Sequence, residues 1–226
     1  MDDGMRRTTW RRGGRGRAAI GVAVIAALGL AACSGGGSDS SSKPTTTVAK
    51  GTHLEMKLGD VSAASAGPAV TVSAEQAQHV LDALITYVKD ATVDPLRSGK
   101  PAKADLAAVF DATTLTPATT TDRGVVFDEG LPKVTGDLDV VSSPVTIVGL
   151  GDLTGNLALV TAAFVVDAKG PTAIKGNPLH ISRHADLVLA PDGAGGWKIT
   201  SYDMLVTRDG GGLDATTTTT TAGAAK

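Results

Sequence analysis

A short apolar segment near the start of the chain ends at the only cysteine, and this feature constrains the protein most. Six arginines lie within residues 6–17, and residues 18–32 carry no charge. This segment is shorter than the roughly 20 residues that a membrane-spanning helix needs. A basic region, a short apolar segment and small residues before a cleavage point are typical of a secretory signal peptide. The sequence therefore predicts a signal peptide over residues 1–32.

The last residues of this segment, Leu30-Ala31-Ala32-Cys33, resemble the lipobox of bacterial lipoproteins. The resemblance implies that the thiol of Cys33 receives a diacylglycerol, that the signal is cut before it, and that the new amino terminus is acylated. A thiolate is the nucleophile for such a transfer, and each buried methylene contributes about 0.8 kcal/mol to membrane binding. We expect a lipid anchor in the cell membrane, with the domain on the extracytoplasmic side. An ordinary signal peptide or a short uncleaved anchor is the alternative.

The use of Cys33 for lipidation would remove thiol chemistry from the mature chain. A disulfide, a cysteine-ligated zinc and a cysteine nucleophile are then excluded. Cleavage also removes six arginines and two aspartates, which changes the formal net charge from −2 to −6. Nucleic acids bind surfaces of the opposite sign. We therefore predict no nucleic acid as a partner. The membrane is the predicted partner, and we expect no cofactor and no metal. The ligand or protein partner stays open.

Composition divides the mature chain into three parts. Residues 33–51 hold the cysteine and a stretch rich in Gly, Ser and Thr, which predicts a flexible tether. Seventeen such residues would span roughly 20 Å. Residues 52–209 are sufficient for a single domain with a core. Residues 210–226 are rich in Gly and Thr and are predicted to be a disordered tail, with an O-glycosylated stalk as the alternative.

Local patterns predict helices first and strands afterwards. Ser73 and Gln76 have the spacing of a capping box, and the apolar residues that follow recur at helical intervals. We expect this helix to end before Pro95, a shorter helix after Pro101, and a loop over residues 111–123. Strands are predicted over residues 125–128, 140–150, 157–167, 180–190 and 197–208, with weaker candidates at 54–58 and 69–72. Pro144 interrupts the second of these strands.

This order predicts an α+β fold with N-terminal helices packed on a curved antiparallel sheet. The order of elements over residues 73–208 and the closing stretch Gly196-Trp197-Lys198-Ile199 resemble the nuclear transport factor two-like superfamily, the cone folds. The resemblance implies that helices pack against the concave side of the sheet and leave a pocket. That superfamily includes small enzymes and non-catalytic binding domains.

The register of the last hairpin places a pair of opposite charges on its apolar face. If Leu189 lies opposite Trp197, then Ala185 lies opposite Ser201 and Arg183 lies opposite Asp203. One hypothesis is a pocket floor, in which Arg183 binds an anion, Asp203 orients it, and Ala185 and Ser201 leave space. The alternative is a cross-strand ion pair that contributes roughly 0.2–1 kcal/mol.

Acid–base candidates are weaker. His184, Asp186 and Tyr202 have residue types that cone-fold enzymes use, but this register points them away from the apolar face. His180 and His184 are about 13 Å apart on a strand, too far to share one metal. Asp128, which follows an apolar run, is interpreted as a turn residue at a strand end.

Three functions from different classes fit the sequence. A membrane-anchored, non-catalytic domain that binds a ligand or a protein is favoured, because no catalytic motif was found. An envelope carrier of lipids or glycolipids would need a long apolar cavity, and a small pocket enzyme would need converging acid and base groups. An enzyme is less favoured than a non-catalytic protein.

Overall fold

The structure is a computed structural model that describes residues 51–100 and 106–222. The predicted signal peptide, Cys33 and the predicted tether up to residue 50 lie outside the described residues. None of the helices within the described part of the chain is long and apolar enough to cross a membrane.

The first helix forms as predicted from its capping box. Helix α1 spans Ala74–Val88. The Ser73 hydroxyl accepts a hydrogen bond from the Gln76 N–H at 3.1 Å, and the Gln76 side chain accepts one from the Ser73 N–H at 2.9 Å. These bonds satisfy amides that have no partner within the helix. The apolar side of α1 is buried.

Helix α1 ends before Pro95, as predicted, but the chain stays helical beyond it. A π-helical turn over Lys89–Val93 leads into α2, Asp94–Ser98, and Pro95 stands in its first turn. Proline has no N–H to donate to the preceding turn, and Pro95 stands where the π-helical turn gives way to α2, so the change of helical geometry coincides with the missing bond. The segment ends instead at Gly99, whose φ is 65°.

Residues 111–128 differ most from the prediction. Helix α3, Ala112–Thr119, occupies the predicted loop, and its N-terminus is capped by Asp111, which accepts a hydrogen bond from the Thr114 N–H at 2.7 Å. Helix α4, Arg123–Val126, replaces the predicted strand. The β-branched residues favoured a strand, but burial of Val125 and Val126 beneath the helical layer outweighs that local preference. The predicted helix after Pro101 is a single 3₁₀ turn at Leu106–Ala108, and residues 101–105 are not described.

The domain is α+β, with the helices beside one mostly antiparallel, open sheet. The sheet order is β1-β3-β5-β6-β7-β8, and β4 pairs with β5 and β2. Only the pairs β1–β3 and β2–β4 are parallel among the described strands. The strands are β1 Thr52–Glu55, β2 Leu58–Ser65, β3 Leu138–Ser142, β4 Val145–Gly151, β5 Leu157–Gly170, β6 Leu179–Pro191, β7 Trp197–Gly210 and β8 Leu213–Ala222.

Three strand predictions need correction. The single strand over 140–150 is divided into β3 and β4, with Pro144 in the break, because proline cannot donate to a ladder. The candidate at 54–58 is replaced by β1 and β2, and residues 69–72 form no strand. The predicted disordered tail is also wrong for residues 213–222, which form β8 and pair with β7. The folded domain therefore extends past residue 209.

A turn of glycines makes β8 possible. Gly210, Gly211 and Gly212 all have positive φ, between 59° and 90°. A Cβ on Gly210 would lie 2.0 Å from the Pro178 carbonyl oxygen, so only glycine fits there.

The core lies between the helices and one face of the sheet. Residues from α1, from Val109 and Phe110, and from the inner faces of β3 to β7 are buried together. The outer face of the sheet carries half-buried and exposed side chains. We refer below to the inner face, which meets the helices, and the outer face, which meets solvent.

Candidate functional site

The register of the last hairpin differs from the predicted one by two residues next to the loop, where Pro191 lies opposite Trp197, and a β-bulge shifts it by one residue more. Leu189 lies opposite Ile199 rather than Trp197, and Val188 lies opposite Ser201, so Thr200 is an extra residue in β7. Each residue of β7 beyond the bulge therefore points to the face opposite to the predicted one. Tyr202, Met204 and Val206 are buried on the inner face.

The four residues of the predicted pocket do not form one site. Arg183 and Ala185 lie on the inner face, where they are buried, and they are opposite Val206 and Met204. Asp203 is exposed on the outer face, and Ser201 is half-buried. The predicted pair of Arg183 with Asp203 was therefore wrong. The sequence did carry a signal for the bulge, because the alternation of apolar residues in β7 shifts by one position between Ile199 and Tyr202.

The partner of Arg183 is Asp128, for which the sequence predicts only a turn at a strand end. The Arg183 Nη2 donates to Asp128 Oδ2 at 2.8 Å, and the two side chains are 1% and 0% exposed. The Asp128 backbone N–H donates to the Ala91 carbonyl at 2.9 Å. This bond holds the aspartate against the π-helical turn, so Asp128 connects the helical layer to β6.

Two further residues complete a buried cluster around Asp128. Thr92 donates to Asp128 Oδ2 at 2.6 Å and accepts from Arg183 Nη1 at 2.8 Å. Arg208, on β7, donates to Asp128 Oδ1 from Nε at 3.0 Å and from Nη2 at 2.8 Å. Arg208 was not singled out from the sequence, because its inward position depends on the bulge. We call Thr92, Asp128, Arg183 and Arg208 the buried charge cluster.

Tyr87 packs against the buried charge cluster from α1. Its ring centroid lies 5.8 Å from the Arg183 guanidinium carbon, a distance typical of a cation–π contact. The Tyr87 hydroxyl donates to the Val126 carbonyl at 3.0 Å. Burial raises the pKa of Tyr87 to about 12. Tyr87 therefore stays neutral beside the ions.

The buried charge cluster holds two cations and one anion. Burial by itself would lower the pKa of Arg183, but the Asp128 carboxylate outweighs it, and the pKa lies above its usual value. The Nε of Arg183 has no hydrogen-bond partner among the described residues. Buried ions are stable only when they are paired and hydrogen-bonded. The cluster is buried, so we interpret it as a set of contacts that stabilise the fold.

The outer face carries a separate, open groove between β5, β6, β7 and β8. It has a volume of about 220 Å³, and its polar lining includes Asp186, Ser201 and Asp203. Asp186 lies directly opposite Asp203 in the ladder, and both are exposed. We call this feature the outer groove. It contains two of the four predicted pocket residues, on the other side of the sheet from Arg183.

The three acid–base candidates are divided between the two faces. His184 and Asp186 are exposed on the outer face, as predicted. Tyr202, by contrast, is buried on the inner face, and its hydroxyl donates to Asp122 Oδ2 at 2.8 Å. Burial and this hydrogen bond raise the pKa of Tyr202 above its usual value. The three side chains therefore do not meet.

The histidines and acidic residues do not assemble into a metal site in the described ranges. No group of three or more such residues close enough to hold an ion occurs among residues 51–100 and 106–222. His180 lies within 3.6 Å of Asp209 and 3.7 Å of Asp167, on the outer face.

Comparison of this chain with protein-family models, with curated proteins and with solved structures found no match. The resemblances to bacterial lipoproteins and to the cone superfamily therefore stay predictions.

Proposed function

We propose that this protein is a lipid-anchored protein of the cell envelope whose domain binds a ligand or a protein without catalysis. The anchor would be attached at Cys33, and residues 34–50 would hold the domain away from the membrane. The described residues begin at 51, so 17 residues lie between them and Cys33, the proposed site of the anchor.

The observation that carries the binding role is the separation of the reactive side chains. Arg183, which a pocket enzyme could use, is bound to Asp128 in the buried charge cluster. His184 and Asp186 lie on the outer face, and the Tyr202 hydroxyl is bound to Asp122 on the inner side. A general acid and base must both reach one substrate. Their placement on opposite sides of the sheet supports binding rather than catalysis.

The outer groove is the surface that we propose for binding. Asp186 and Asp203 face each other across neighbouring strands, and like charges in that position destabilise a sheet by a few tenths of a kcal/mol or more. A bound group with positive charge or hydrogen-bond donors would relieve this repulsion. The outer groove also lies on the face that the helices leave open.

The anchor is tested by metabolic labelling with an alkyne analogue of a fatty acid. We expect label on the wild-type protein and none on Cys33→Ala, which is otherwise identical and has no other cysteine. Equal labelling of both proteins, or labelling of neither, would refute the anchor.

The binding role is tested by native mass spectrometry of the protein purified from its own membranes. We expect a bound partner on the wild type that is lost from a variant with Asp186→Asn and Asp203→Asn. Asp167→Asn, an exposed aspartate on the same face of β5, is the matched control and should keep the partner. A co-purified acyl lipid that is retained by all variants would favour a lipid carrier instead.

A further inference from the structure

Strand β8 is an edge strand of the sheet, with a described neighbouring strand on one side only. It pairs with β7, and no other described strand pairs with it. Thr216, Thr218, Thr219 and Thr221 are all exposed. In an antiparallel ladder, alternate residues direct their N–H and C=O groups toward each neighbour. About half of the β8 backbone groups therefore point away from β7, on a side where no described strand pairs with them.

Over residues 215–222, the edge at β8 lacks the usual protection against further pairing, and Asp214, near the start of the strand, is its one charged residue. Natural edge strands are blocked by charges, by proline or by a bulge. Residues 215–222 contain no charge, no proline and no glycine, and six consecutive threonines favour an extended strand. Among the other edge strands, β2 carries Asp60 and an irregular register after Leu58. The third edge strand, β1, carries His53 and Glu55. Of the three edges, β8 is the one suited to an added strand.

We propose that β8 pairs with β8 of a second copy of this chain, in an antiparallel arrangement that joins the two sheets. A uniform run of threonines is self-complementary, because threonine lies opposite threonine in such a pairing, and these pairs stabilise a sheet. A two-fold arrangement of this kind covers both edges at once and closes the assembly.

The chemistry of β8 favours a second copy over a different protein. Strand addition selects a foreign peptide through pockets for its alternate side chains, and a row of identical threonines offers no such pattern. The predicted mature chain has a net charge of −6, yet residues 215–222 carry none, so the two edges approach without like charges between them. The pairing depends on β8 alone and does not require lipidation of Cys33.

The pairing is tested by photo-crosslinking of the full-length protein in its own cells. A benzophenone amino acid replaces Thr218, on the β8 edge, and in a parallel protein it replaces Ser62, an exposed residue of β2. We expect irradiation to give an adduct of twice the monomer mass from position 218 and none from position 62. Mass spectrometry of the adduct should identify residues of β8 from the second copy.

A charge variant distinguishes edge pairing from a chance collision. Thr219→Lys with Thr221→Lys places cations on the outer face of β8, where they leave the β7 pairing intact, and should lower the position-218 adduct by about fivefold. Ser62→Lys with Ala64→Lys adds the same charges to β2 and should leave the adduct unchanged. Equal thermal melting of both variants confirms that the fold is retained. An adduct with a different protein, no adduct, or equal loss in both variants would overturn the proposal.

Discussion

Asp128 and Arg183, which are 55 positions apart in the sequence, form a 2.8 Å ion pair in which neither side chain exceeds 1% exposure. The pair joins the helical layer to the middle of the sheet. Removal of one partner from a buried pair is far more costly than exchange of both for apolar residues, since it leaves a charge without compensation.

We expect Asp128→Asn to lower the free energy of unfolding by about 3–5 kcal/mol, because both arginines would lose their anion. Urea unfolding followed by circular dichroism measures the change. Asp203→Asn, on the exposed outer face, is the control and should stay within about 0.5 kcal/mol of the wild type. A loss below about 1 kcal/mol for Asp128→Asn would contradict the proposed role of the buried charge cluster.

Replacement of all three charged residues of the buried charge cluster should cost less stability than Asp128→Asn alone. A variant with Asp128→Leu, Arg183→Met and Arg208→Met removes all three charges and keeps a similar volume. We expect its stability to exceed that of Asp128→Asn and to approach that of the wild type, because no ion is left unpaired. The same urea titration decides this, and a triple variant less stable than Asp128→Asn would show that the cluster is more than a balance of charges.

Neither tyrosine should ionise at its usual pH while the protein is folded. The chain has two tyrosines, and burial raises the pKa of Tyr87 from 10.0 to about 12. The pKa of Tyr202 is also raised, by burial and by Asp122. A raised pKa means that Tyr87 contributes stability that is complete below pH 10.0 and is lost as the pH rises to about 12.

Ultraviolet absorbance of tyrosinate tests this directly. We expect no absorbance change through pH 10 and a single rise near pH 12 or above that coincides with unfolding by circular dichroism. One tyrosine equivalent that titrates near pH 10 in the folded protein would refute the burial of these side chains.

Asp152 should remain ionised to unusually low pH in the turn between β4 and β5. Hydrogen bonds from the Asn156 N–H and from Thr154 lower its pKa from 3.8 to about 2. A lowered pKa means that the contribution to stability is present above pH 3.8 and is lost as the pH falls through about 2. We therefore expect Asp152→Ala to destabilise the protein at pH 6, and we expect this difference to shrink as the pH falls through about 2. Carbon-13 NMR titration of the carboxyl groups gives the pKa, and a value near 3.8 would contradict the turn geometry.

The like charges of the outer groove should cost stability in the free protein. Asp186 and Asp203 are cross-strand partners, so we expect Asp203→Lys to raise the free energy of unfolding by roughly 0.2–1 kcal/mol while it abolishes partner binding. Thermal unfolding of the purified variant measures the first effect. A loss of stability in Asp203→Lys would show that the two carboxylates do not repel each other.

Local signals in the sequence predicted α1 and the hairpin of β6 and β7, because those signals act over a few residues. The capping box at Ser73 and Gln76 is complete within four positions. The inward face of β6 was predicted correctly for the same reason, since its alternation is regular from Ile181 to Leu189.

The buried charge cluster could not be predicted, because it depends on contacts between distant segments. Arg183 and Asp128 are 55 positions apart, so no local pattern in the sequence reveals them as partners. The inward position of Arg208 follows from one extra residue in β7, and such a bulge changes the face of everything that follows. Threonine tracts were interpreted as disorder from composition, but pairing with β7 supplies the hydrogen bonds that an isolated strand lacks.

The bulge at Thr200 and the buried charge cluster together favour one register of β7 against β6. Without the bulge, the register next to the loop would turn Asp203 inward opposite Ala185, two positions from Arg183 in β6, and would turn Arg208 toward solvent. Two carboxylates would then share Arg183, and the excess negative charge would be enclosed. The misaligned hairpin is thus penalised by electrostatics as well as by packing, so the cluster selects one alignment of β7 against β6.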